Sequence, residues 1–82
     1  MEEATLDAIR RRPVQGEEQE IAHDLPCEID PEEGRIVIRT ERDLGVRVGD
    51  EVESDAFERK MAVRSVRKEL TEDGYRIVLE CR

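Results

Sequence analysis

Tyr75-Arg76-Ile77-Val78-Leu79-Glu80-Cys81 closes a stretch that begins at Val46 and decides the fold of this chain. Apolar side chains at Tyr75, Ile77, Leu79 and Cys81 recur at every second position, with Arg76, Glu80 and Arg82 between them, which is the alternation of a strand with one buried face. Asp73-Gly74 supplies the turn that pairs this strand with the one before it, Lys60 to Leu70. In that earlier strand Met61 and Val63 share one parity while Val66 and Leu70 share the other, so a β-bulge near Arg64-Ser65 is expected. Val46 to Val52 reads as a further strand with a bulge or bend at Gly49-Asp50. Between Glu53 and Lys60, Ser54-Asp55-Ala56-Phe57-Glu58 offers an N-cap and early acids for one turn of helix, or else a long hairpin loop. Phe57 is the only phenylalanine and is there either a core plug or an anchor for a partner.

Working towards the N-terminus, Thr40 to Gly45 is a connection. Leu25, Cys27 and Ile29 alternate with polar residues and Pro26, and Ile36-Val37-Ile38 follows after Asp30-Pro31-Glu32-Glu33-Gly34. Proline presets that turn and glycine permits positive φ, so the pair reads as a hairpin. Val14 to Asp24 is polar, with Ile21 its one large apolar anchor, and reads as an extended arm. Residues 2 to 12 read as a short helix, with Glu2 and Glu3 first, Leu6 and Ile9 on one face, and Arg10, Arg11 and Arg12 last, before Pro13 stops it. The expectation is an all-β chain: an arm or short helix over 1–24, then a small five-stranded barrel, SH3-like or OB-like, over 25–82.

The chain has 82 residues, room for one domain, and a domain of this size buries only about 60 to 65% of the surface its unfolded chain exposes. Assembly with other chains is the expected supplement to so small a core. Charged residues make up 44% of the chain and the net charge is -8, which argues against a nucleic-acid binder, whose affinity comes mostly from neutralising phosphates. Of the 14 basic residues only Lys60 and Lys68 are lysines. An acid-rich, lysine-poor surface suits high salt, where charge repulsion is screened, and points to a halophilic or GC-rich source; an ordinary acidic protein is the alternative. Two cysteines and no apolar leader in Met1 to Arg12 imply an intracellular site of synthesis, and no stretch is long enough to span a membrane.

Candidate chemistry is sparse. His23, Asp24 and Cys27 are close in sequence, but a zinc site needs a fourth ligand or paired cysteines, and Cys81 is the only other cysteine. Cys27 and Cys81 fall on inward-facing strand positions and are expected as core thiols. His23 is the only histidine that could serve a nucleophile, and Gly45 and Gly49 are not followed by the Gly-Lys-Ser/Thr of a phosphate loop. No metal, no cofactor and no enzymatic activity are therefore expected. Arg10-Arg11-Arg12 is the one basic cluster, either a helix terminus or a contact for an acidic surface of a neighbour or for DNA. These arginines, with Ile21, Phe57 and Arg59, are the expected partner contacts.

Two resemblances bear on function. Leu25-Pro26-Cys27, the segment from Asp43-Leu44 to Gly49-Asp50-Glu51-Val52, the strand Ala62 to Val66 and the closing strand Tyr75 to Cys81 look like the small β-barrel neck proteins of tailed viruses. This resemblance implies a non-enzymatic head-completion or stopper-like subunit of a head-tail connector ring, packed against identical neighbours and against portal, adaptor or tail subunits. It implies a virion location, with assembly in the host cytoplasm. Gly34-Arg35-Ile36-Val37-Ile38 followed by Leu44-Gly45-Val46 and Gly49-Asp50-Glu51-Val52-Glu53 resembles the AbrB-type swapped-hairpin motif, which implies a dimeric, cytoplasmic DNA-binding regulator or antitoxin. The acidic balance sets that alternative second, alongside other small β-barrel interaction modules.

Overall fold

A computed structural model of the chain describes residues 1–13 and 15–82. Its elements are six antiparallel strands: β1 (Glu2–Arg11), β2 (Gln19–Asp30), β3 (Arg35–Thr40), β4 (Glu51–Glu53), β5 (Met61–Thr71) and β6 (Gly74–Cys81). They close a barrel in the order β1-β2-β3-β6-β5-β4. Among the described residues there is no helix, and so none long and apolar enough to cross a membrane.

The core is aliphatic. Each strand sends at least one fully buried side chain inward: Leu6 and Ile9, Ile29, Ile36 and Ile38, Val52, Val63, and Ile77 and Leu79. Each such side chain contributes about 1.5 to 3 kcal/mol on burial, and their prevalent β-branching suits the strand backbone. Cys27 and Cys81 complete the lining as free, buried thiols, as their strand positions predict. The predicted bulge is present: Val63 lies opposite Cys81 and Ser65 opposite Glu80, so Arg64 is the extra residue. That insertion lets Val63 and Val66 both face the core. The turn at Glu72-Asp73, which sets Thr71 opposite Gly74, and the Pro31 to Gly34 hairpin are likewise where the turn residues put them.

Three expectations need correction. Residues 2 to 11 form a strand, not a helix, and with them the barrel has six strands rather than five. Ala4, Leu6 and Ala8 alternate, and both edges of the segment are used: β2 pairs along it and β4 pairs at Ala8 to Arg10. Gln19 to Asp24 is the first half of β2, paired with β1, rather than an arm; the arm's first residue, Val14, lies outside the described residues. The strand expected over Val46 to Val52 shrinks to Glu51–Glu53, because Asp50 turns the chain just before it. The Asp50 amide donates to Arg47 O (3.1 Å), and the Arg47 amide donates to Asp50 Oδ2 (2.8 Å). Of the two readings of Ser54 to Glu58 the loop holds, with a turn at its start: the Phe57 amide donates to Ser54 O (3.1 Å), and Ser54 Oγ donates to Thr5 O (2.8 Å) on β1.

Val37 and Val78, opposite each other on β3 and β6, are buried on the outer face of the sheet. On that face Arg39 pairs with Glu28, and Arg35 Nε donates to Glu80 Oε1 (2.9 Å). The arginine stems thus flank the valines while their charged ends stay in water.

Gly34 carries φ +69, and a Cβ there would stand 2.3 Å from Cys81 O. Gly49 carries φ +97 but has nothing within 4 Å. Gly34→Ala is therefore expected to destabilise by about 3 kcal/mol or more, from left-handed strain plus a backbone clash, and Gly49→Ala by about 1 kcal/mol from strain alone. Urea unfolding of the two variants checks the order, and equal losses would contradict it.

Candidate functional site

Three of the arginines expected to meet a partner, Arg10, Arg11 and Arg12, are ion-paired within the chain. Arg10 lies on β1 with its guanidinium 3.1 Å from Glu53 Oε2 and 3.5 Å from Glu18 Oε1, and Arg12 lies 3.4 Å from Glu18 Oε2. Arg11 grips Asp50 with two parallel bonds, Nε to Oδ1 and Nη2 to Oδ2, both 2.9 Å, and also donates to Gly45 O at 2.8 Å. The Asp50 side chain is only 3% exposed, so this fork meets the hydrogen-bonding needs of a buried carboxylate. Ile21 and Phe57 are half-buried and packed against the core.

Arg59 is exposed and lines an open groove at one end of the barrel, of about 800 Å³. The groove lies between the β2–β3 turn and the start of β5. Pro31 and Met61 give it apolar ground, and Arg59, Arg64, Glu32 and Glu80 give it mixed charge. Arg59, Arg64 and Glu32 are exposed and Glu80 is paired with Arg35, so the groove is an open surface of mixed charge, less suited to enclosing a small molecule.

Among the described residues, no three His, Cys, Asp or Glu side chains gather as a metal site would. His23 is exposed beside Glu20 (3.5 Å), whereas Cys27 faces the barrel interior with Sγ 3.6 Å from Ala4 O. Burial holds both thiols in the neutral form: desolvation raises Cys27, and it pushes Cys81 up to about 12 with help from the Glu80 charge.

The feature that sequence reasoning missed is the far part of β5. β4 pairs with β5 only at Met61 and Ala62, and the turn before β4 adds bonds to Val63: the Gly49 amide donates to Val63 O (2.9 Å), and the Val63 amide donates to Asp50 O (2.8 Å). From Ser65 to Thr71 the strand pairs with β6 alone. Nearly every residue there is exposed, and Leu70 is 80% exposed. The only sequence signal for this edge is the shortness of β4, which Asp50 sets.

No protein-family profile, curated protein or solved structure matches the chain.

Asp50→Ala is expected to cost about 3 kcal/mol, since it leaves a partly buried guanidinium and the Arg47 amide without their acceptor, whereas Arg12→Ala should stay within about 0.5 kcal/mol. Chemical denaturation of both variants measures the difference. The thiols set a pH dependence of known sign: Cys81 ionises near 9 when unfolded and near 12 when folded, so the unfolded state sheds its proton first. The contribution is intact below pH about 9 and falls by up to about 1.4 kcal/mol per pH unit above it. Cys81→Ala should flatten that part of the stability curve relative to the parent.

Proposed function

We propose that the chain is a non-enzymatic structural subunit that acts by assembling with copies of itself and with adjoining proteins. The observation that carries this reading is the open edge of β5, where a strand of seven residues, Ser65 to Thr71, has a partner on one side only. A free strand edge is a template for another chain, and natural barrels otherwise cover or shorten it. The small aliphatic core adds a reason, since packing against neighbours extends burial that a chain of this size cannot supply alone.

The setting we favour is the neck of a tailed virus, with the chain as a head-tail connector subunit of head-completion or stopper type. That setting is supported by the resemblance of Leu25 to Cys27, Asp43 to Val52, Ala62 to Val66 and Tyr75 to Cys81. A neck subunit would meet identical neighbours in a ring and portal, adaptor or tail proteins above and below it. The groove beside Arg59 and the loop that carries Phe57 share one end of the barrel and are suited to such end-on contacts.

Size-exclusion chromatography with light scattering at low and at multi-molar salt tests the reading. A discrete oligomer is expected, with its population rising with protein concentration. A strictly monomeric chain at every salt and concentration, or tight sequence-specific binding of duplex DNA, would overturn it.

A further inference from the structure

The open edge of β5 carries a pattern that is symmetric about Lys68. Val66 and Leu70 lie two positions to either side of it, and Arg67 and Glu69 lie one position to either side. Val66 is half-buried against the core and Leu70 is exposed. Lys68 is held by its own chain, with Nζ 2.9 Å from Asp43 Oδ1.

Two copies of one edge related by a two-fold axis run antiparallel, and residues of like parity then stand opposite each other. An axis through Lys68 sets Val66 against Leu70 of the second copy, Arg67 against Glu69, and Ser65 against Thr71. By symmetry each match occurs twice. The two lysines at the axis are each neutralised by Asp43 of their own chain. An axis through Arg67 would instead set Arg67 against itself and Val66 against Lys68. An axis through Glu69 would set Glu69 against itself and Val66 against Glu72. Of these three registers, the central one alone pairs apolar with apolar and acid with base, and it does so within the Ser65 to Thr71 edge.

We propose that β5 pairs with β5 of a second copy in this register, joining two barrels through a continuous sheet of order β6-β5-β5-β6. The second copy supplies main-chain partners for Ser65 to Thr71 and covers Leu70 with Val66. Arg67 and Lys68 also repel other basic edges, so the same charges that admit a second copy discourage stray partners. This inference rests on the assembly reading and names the occupant of its edge. A two-fold contact closes on itself, so any ring would be built from these dimers through a further surface.

Cysteine cross-linking reads the register directly. Cys27 and Cys81 are buried, so a cysteine placed on the edge is the reactive thiol. In mild oxidant Lys68→Cys should give a disulfide-linked dimer, because position 68 faces itself. Arg67→Cys and Glu69→Cys should each remain unlinked alone and form a linked heterodimer when mixed. By light scattering, Glu69→Arg should weaken association by about tenfold, since it creates two like-charge pairs, and Arg67→Glu combined with Glu69→Arg should restore it. Leu70→Asp, at an exposed position, should also weaken it, and circular dichroism confirms that each variant keeps its strands. An oligomer that keeps its size in Glu69→Arg and gives no disulfide at position 68 overturns this inference while leaving the assembly reading in place. A chain that is monomeric throughout overturns both.

Discussion

The barrel closes through the fork between Arg11 and Asp50. β4 is three residues long and shares only two pairs with β5, so the ladder there is too short to hold the closure by itself. Asp50 supplies what the ladder lacks. Its carboxylate accepts from the Arg11 guanidinium and the Arg47 amide, while its own amide and carbonyl fix the turn that precedes β4 and the start of β5. The turn delivers Val52 to the core, opposite Ile9 on one side and Met61 on the other. Without that carboxylate, β4 would be held between β1 and β5 by its short main-chain ladders and the bonds to Val63 alone. A bidentate arginine suits the task because its planar fork sets an angle as well as a distance, which a lysine could not do.

The same economy governs the surface. Arginine carries most of the positive charge, and three of its ion pairs link strands that are neighbours in space but separated in sequence: Arg10 with Glu53, Arg35 with Glu80, Arg39 with Glu28. Individually, exposed pairs of this kind are worth little. Here some of them flank apolar ground, the Val37 and Val78 pair on the outer face, so that the stems contribute burial whatever the salt does to the charges. The net charge of -8 is the acidic excess that these pairs leave over.

How much of this was legible in the chain follows from where each instruction is written. β6, the bulge at Arg64, the two tight hairpins and the core thiols are local: alternation, a shift of parity, and turn residues show them. β1 is not local. Ala4, Leu6 and Ala8 do alternate, but acids first, arginines last and Pro13 after them imitate a helix, and only β2 and β4 make the segment a strand. Val46 and Val48 imitate a strand in the same way until Asp50, 39 positions from Arg11, bends the chain. Arg10 and Arg11 pair within the chain for the same reason, since Glu53 and Asp50 are set beside them by the fold. The open edge of β5 becomes visible only once β4 is known to be short.

The place of β6 has a further consequence, for the order of events during synthesis. β6 is the last strand to be made, yet it lies between β3 and β5 and pairs with both along most of its length. A nascent chain that has emerged as far as β5 can pair its strands only as the open series β3-β2-β1-β4-β5, which β6 has yet to close. Hairpins can form early from neighbours in sequence, such as β1 with β2, but the closed barrel cannot. Closure waits for β6, through Cys81, to clear the ribosome. Until then, the edges of β3 and β5 are exposed together, in the crowded neighbourhood where other copies are also being made.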